Sequence, residues 1–219
     1  MDRPIDKLTG LISTVELTTE IEVLIAKGKE FSLIMLDIDN LFAINQDFGH
    51  DAGDAIFLLI TKHIKNVFPE PCEAFRGTRD HFDVLIPDSG KEEAFLKAEQ
   101  LRKLVNEEKL KYKSDDGKEL KQSISIGVAS CPDDGSRPPD IMRRAESAMI
   151  RAKKNGRNQV CLAKEEKLIP KTSHYTQAQL ERLSLTAEKQ DVGEAALLRE
   201  ALDDLLRKYD VDEPILKLG

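Results

Sequence analysis

Tryptophan is absent from this chain, and aromatic residues of every kind reach only 5% of it. Cysteine is scarce as well. Cys72, Cys131 and Cys161 are three in number and lack metal-ligand spacing, which fits reduced thiols in cytoplasm better than a disulfide framework. No run of about 18 apolar residues occurs, so no membrane span and no membrane partner are expected. The opening MDRPIDKLTG does not read as a secretory signal, and the expected location is cytoplasmic. A formal net charge of −7 argues against a whole-surface nucleic-acid binder, while a local basic face stays possible. What remains is a soluble globular composition, 40% hydrophobic and 33% charged. Its 219 residues allow one domain of ordinary size and a small second one.

The periodicity changes several times along the chain. TVELTTEIEVLIAKGK has apolar residues at helical spacing and stops at Gly28. FSLIMLDID is a continuous apolar run ended by carboxylates, which reads as a buried strand. AGDAIFLLITKHIKNVF is a second helix, and FRGTRDHFDVLIP reads as two strands joined by a tight turn. KEEAFLKAEQLRKLVNEEKL is a third helix, KQSISIGVAS a strand, DIMRRAESAMIRAKKNG a fourth helix closed by Gly156, and NQVCLA a short final strand. Strands and helices interleaved in this way predict an α/β fold with a central sheet flanked by helices. After AKEEKLIP, a charged linker ending in proline, KTSHYT is one extended piece, followed by the helices QAQLERLSLTAEKQ and GEAALLREALDDLLRKY. This strand–helix–helix unit is too small to bury a sufficient core alone and is expected to pair with a second copy.

Several residues carry chemistry. Asp37 and Asp39 stand at the end of the buried strand. They are expected to leave opposite faces, so that only one enters a given site. A carboxylate there suits Mg²⁺, an oxygen-seeking cation shared with a nucleotide's phosphates; a solvated strand end is the plain alternative. Asn45 and Asp54 flank a glycine-containing turn into a helix. The carboxylate could accept from the ring N–H and amino group of guanine, with the amide on the remaining edge. Lys153 and Arg157, four apart at a helix end, could hold phosphates on one face or merely complement the helix dipole. His50 has a local hydrogen-bonding role in this reading, and His63 lies on a wet helix face. Arg143, Arg144 and Arg151 likewise belong to a solvated helix face.

DKLTGL, LIMLDID, INQDFGHDAGD, SISIGVA and AKKNGRNQV, in that order and spacing, resemble the GGDEF domain of diguanylate cyclases across roughly residues 5–162. The resemblance implies a GGDEF-type sheet and an activity that joins two GTP molecules into cyclic di-GMP, with two domains face to face. The hairpin signature that names the family falls on Thr78, Arg79, Asp80, His81 and Phe82. Two glycines that let substrate lie against the hairpin are thus Thr78 and Arg79, and a metal-binding glutamate is His81, a poor Mg²⁺ ligand. The lysine that follows the metal-binding segment is Phe42. The Arg-x-x-Asp motif of product inhibition falls on Pro69-Glu70-Pro71-Cys72 and is absent. The resemblance still implies Asp37 and Asp80 as metal positions, and Asn45, Asp54, Lys153, Arg157 and Arg79 as nucleotide positions. The expectation is a degenerate domain without catalysis that holds a guanine nucleotide, GTP or cyclic di-GMP, with Mg²⁺.

The C-terminal region resembles a ribbon–helix–helix DNA-binding domain, in which two chains give one strand each to a ribbon in the major groove. That resemblance implies Thr172 and His174 as base readers, Lys171 on the DNA backbone, and a shared homodimer core of Leu180, Leu183, Leu197, Leu198, Ala201, Leu202 and Leu205. The domains expected are a degenerate GGDEF domain over 1–162, a linker at 163–169, a ribbon–helix–helix domain at 170–210 and a tail at 211–219. The resulting reading is a transcription regulator bound to double-stranded DNA, whose inactive first domain senses the nucleotide. The alternatives are a diverged diguanylate cyclase or nucleotide hydrolase with a dimerisation tail, and a protein–protein interaction module.

Overall fold

The computed structural model describes residues 3–114, 117–164, 171–190 and 192–209. The chain divides into two compact units, residues 1–165 and 166–219.

The first unit is built on β2, Phe31–Ile38, in which all eight residues are buried. Such a strand needs a neighbour on each edge and a layer on each face. β4 (His81–Pro87) and β5 (Ile124–Cys131) run antiparallel along its edges. β3 (Glu73–Arg76) pairs antiparallel with β4, and β1 (Ile12–Ser13) and β6 (Val160–Leu162) add parallel pairs at the two margins. The six-stranded order is β1-β3-β4-β2-β5-β6. Alternation sorts the strands' side chains onto two layers. Ile34, Leu36 and Ile38 meet α3 (His50–Val67) and α4 (Lys91–Glu107) through Ile56, Ile60, Ala98 and Leu101. Phe31, Leu33 and Met35 meet α1 (Leu17–Ala26) and α5 (Pro138–Lys154) through Leu17, Ile21, Ile141, Ala145 and Met149.

One contact sets the height of α5 above the sheet. A Cβ built on Gly127 of β5 would stand 2.0 Å from the Ala145 carbonyl oxygen and 2.4 Å from the Met149 nitrogen. Only glycine lets the helix backbone lie directly on the strand. Because α5 also carries Lys153, this close approach decides where that ammonium ends up.

The structure adds elements that periodicity did not mark. Leu41–Phe48 forms a short helix, α2, and Gly49 at φ 83° breaks it from α3. The expected turn is therefore a helix–helix corner. β1 is too short to show alternation.

In the second unit, α6 (Gln177–Gln190) and α7 (Glu194–Tyr209) are the two expected helices. Residues 171–176 form no strand and are exposed throughout. Within the single chain these residues pair with no described strand, and a ribbon of the expected kind would take its second strand from another copy. The linker beyond residue 164 and the tail at 211–219 lie outside the described residues.

Candidate nucleotide site at the hairpin and strand exit

Asp37 is the last but one residue of β2, opposite His81 across the β2–β4 ladder and Ser125 across the β2–β5 ladder. Its side chain is buried, yet Lys153 Nζ of α5 reaches its Oδ1 at 2.7 Å. Burial and the neighbouring Asp80 push its pKa up to about 7, against the pull of Lys153 and His81. Two carboxylates and one ammonium thus share a desolvated corner.

Asp39 does something else. Residues two apart share one face of a strand, so the expectation of opposite faces misread the alternation. β2 ends at Ile38, and Asp39 leaves the ladder. Its oxygens accept from Ser125 Oγ at 2.6 Å, Ser123 Oγ at 2.7 Å and the Asn158 backbone at 3.0 Å. One carboxylate is consumed by structure, and only Asp37 faces the site.

The hairpin tip is held from inside by Arg76. Its Nη1 donates to the carbonyls of His81 at 2.7 Å and Gly77 at 2.8 Å, and its Nη2 donates to the Arg79 carbonyl. The guanidinium also lies over the rings of Phe57, 4.3 Å from the centroid, and Phe82, at 4.8 Å. Three carbonyls of one turn thereby share one cation. Sequence reasoning missed Arg76, because its partners are backbone atoms that leave no side-chain signal.

Thr78 and Arg79 stand exposed at the tip, and Arg79 adopts φ 58°, a left-handed conformation that glycine would take without strain. His81 turns away from the role of metal ligand. Its Nε2 lies 2.8 Å from Asp83 Oδ1, while Thr14 donates to Asp83 Oδ2 at 2.7 Å. Burial disfavours the charged imidazole, but Asp83, Asp37 and Glu146 outweigh it and hold the pKa above the ordinary value.

At the α2–α3 corner, Asn45 Oδ1 is buried without a hydrogen-bond partner in the protein, and Asp54 is exposed on the first turns of α3. A Cβ on Gly53 would fall 2.1 Å from that oxygen, so Gly53 makes its room. Lys153 and Arg157 do not share a helix face as predicted. α5 ends at Lys154, and Arg157 sits exposed beyond it at φ 64°. His63, expected on a wet face, is buried with Nε2 2.8 Å from Glu108 Oε2.

The residues suit one oxygen-bound Mg²⁺ better than two. Asp37 and Asp80 bring two carboxylates to a corner whose excess negative charge already raises the Asp37 pKa. Among the described residues no group of three or more acidic, histidine or cysteine side chains is arranged to hold a metal. The remaining ligands of one ion would be phosphate and water oxygens, as is usual for Mg²⁺.

In the second unit, Lys171, Thr172 and His174 are exposed and irregular, and Tyr175 is 46% exposed. No surface for base reading is assembled there among the described residues.

Residues 4–159 match the family model described as diguanylate cyclase, GGDEF domain. Diguanylate cyclase A of Treponema denticola is 36% identical over 138 residues, 63% of this chain and 36% of that protein. A diguanylate cyclase of Vibrio cholerae is 29% identical over 164 residues, 73% of this chain and 50% of that protein. The chain therefore spans between about a third and a half of the length of these relatives. Among solved structures, the GGDEF domain of DgcB from Caulobacter crescentus in complex with c-di-GMP superposes with a TM-score of 0.65 at 25% identity, covering 74% of this chain and 96% of that one. These relatives overturn the reading as a DNA-binding transcription regulator. They are named diguanylate cyclases, and the alternative of a diverged cyclase fits them better.

Proposed function

Since the chain belongs to the GGDEF family of diguanylate cyclases, we propose that it is a diverged cyclase-like protein whose first unit holds a guanine nucleotide and whose hairpin holds back the condensation. The observation that carries the reading is Asn45 Oδ1, a buried acceptor left without a protein donor. Such an atom costs about 1–3 kcal/mol unless something donates to it. One N–H of a guanine amino group is a suitable donor, and Asp54 on the next helix would accept from the ring N–H and the other amino hydrogen. Lys153 and Arg157 bring cations for phosphate. A Mg²⁺ held through Asp37 and Asp80 would neutralise phosphate charge when bound.

Condensation is disfavoured by the chain's own side chains. Thr78 and Arg79 put Cβ atoms where a ligand would have to lie close against the turn. His81 is engaged with Asp83 and offers no oxygen. We therefore assign binding without turnover to this site.

Calorimetry with GTP, ATP and cyclic di-GMP in Mg²⁺ buffer, followed by chromatography of the GTP mixture, tests both halves. Binding of guanine nucleotides in preference to ATP, with GTP recovered intact, is the expected result. Asp54→Ala should weaken GTP at least about tenfold, as loss of a charged hydrogen bond implies. No heat with any guanine nucleotide overturns the site, and cyclic di-GMP in the mixture overturns the block.

A further inference from the structure

Two consecutive residues just past α5 carry a positive φ, Arg157 at 64° and Asn158 at 45°, directly after Gly156 at 113°. Glycine takes such angles freely, but a residue with a side chain stays in that region only where its surroundings hold it there. The surroundings of Asn158 come from two distant parts of the first unit. Its backbone N–H donates to Asp39 Oδ2 at 3.0 Å, at the exit of β2. Its Oδ1 accepts from Arg102 Nη1 of α4 at 3.0 Å, and its Nδ2 donates to Asn106 Oδ1, one turn further along α4, at 3.1 Å. Glu99 in turn engages the rest of the Arg102 guanidinium, 2.9 Å from Nη2 and 3.2 Å from Nε. Arg157 is fixed through its backbone. Its N–H donates to the Ala152 carbonyl at 3.0 Å, and its own carbonyl accepts from Gln159 Nε2 at 3.2 Å. Its side chain stays exposed.

We propose that Asn158, braced by Arg102, is a positioning residue that presents the Arg157 guanidinium to the phosphates of the bound nucleotide. This role rests on the nucleotide reading above and falls to groups that touch no ligand in it. Nothing in α5 itself aims Arg157, because the helix stops at Lys154, three residues earlier. A long side chain on a free loop loses both rotamer and loop freedom at each binding event, whereas a loop already fixed has less to lose. The anchor also lies in the right place. Asp39, to which Asn158 is tied, follows two residues after Asp37, the carboxylate that Lys153 reaches at 2.7 Å. One backbone bond thus holds the neighbour of Arg157 at the strand exit, beside the second phosphate-seeking cation. A purely structural turn would be served by glycine at 158, which takes a positive φ without strain and keeps the N–H. What asparagine adds is the side-chain amide that joins the loop to α4.

Calorimetry of the full chain with guanosine and with GTP, both in Mg²⁺ buffer, separates base reading from phosphate binding. In the parent, GTP should bind more tightly than guanosine. Asn158→Gly keeps the backbone and removes only the amide. Guanosine affinity should therefore hold while GTP weakens by about tenfold, the size of one lost hydrogen bond to a charged group. Arg102→Met should do the same. In an Arg157→Ala background neither substitution should weaken GTP further, since the group they position is gone. Without ligand, the Arg157 amide should exchange its hydrogen at least about tenfold faster in Asn158→Gly than in the parent. Failure of the nucleotide reading has its own signature, a parent that binds neither guanosine nor GTP, and the positioning role falls with it. That role alone is overturned by an Asn158→Gly chain that binds GTP like the parent, or by one that loses guanosine in equal measure. Unchanged exchange at Arg157, or a further loss of GTP in the Arg157→Ala background, overturns it as well.

Discussion

Replacing Gly53 with alanine perturbs the guanine-reading corner through one methyl group. The added Cβ would fall 2.1 Å from Asn45 Oδ1, 3.1 Å from its Cγ and 3.4 Å from Leu41 Cδ1. The last is an ordinary contact, so neither helix has to move. The first cannot persist, and the Asn45 amide must swing away by more than an ångström. An amide forced off its rotamer costs about 0.5–1.5 kcal/mol. Alanine in place of glycine inside a helix returns about 0.5–1 kcal/mol. The two nearly cancel, so thermal stability should change by only a few degrees. Binding should not be spared. Losing one neutral hydrogen bond of about 0.5–1.5 kcal/mol weakens GTP by roughly threefold to tenfold. ATP binding should stay as it was. Differential scanning fluorimetry and calorimetry on the same preparation separate the two effects. A variant that binds GTP like the parent refutes the role given to Asn45. One that loses more than about 3 kcal/mol of stability refutes the packing argument, because such a loss requires backbone displacement.

Gly127→Ala should behave in the opposite way. Its Cβ would meet backbone atoms of α5 at 2.0 and 2.4 Å, so the helix must lift, and a loss of about 3 kcal/mol or more is expected in urea titrations of the first unit. Since Lys153 rides on α5, phosphate affinity should fall with it. Arg76→Met keeps the apolar stem but removes the cation from three hairpin carbonyls, so amide exchange at residues 77–81 should speed up at least tenfold while the β2–β5 ladder keeps its protection. Thr78→Gly and Arg79→Gly with His81→Glu clear the hairpin tip and add a carboxylate beside Asp37, and cyclic di-GMP should then appear from GTP and Mg²⁺. Its continued absence would place the block at Phe42 or in the pairing of two sites rather than in the turn.

Much of the first unit was legible in the sequence because its signals are local. Six successive apolar or small residues, Phe31 to Leu36, followed by carboxylates read as a strand covered on both faces, and β2 is that strand. Helical spacing marked α1, α3, α4, α5, α6 and α7. The ordered motifs marked Asp37, Asp80 and Lys153 among the expected site residues, and these three meet at the strand exit.

The tertiary structure decided what those residues do, because their partners are distant in sequence or lie on the backbone. Asp37 and Asp39 look alike in LDID. They part company because Ser123, Ser125 and Asn158, some 84 to 119 positions away, take up one carboxylate and leave the other to Lys153 and Asp80. Arg76 reads as an ordinary strand residue until the turn folds three carbonyls around it. Arg157 reads as one helical step from Lys153 until α5 is seen to stop at Lys154. KTSHYT has the composition of a strand, but pairing is a property of two segments, and no described neighbour pairs with it. Spacing within a segment declares which side chains share a face; only the folded chain declares what that face meets.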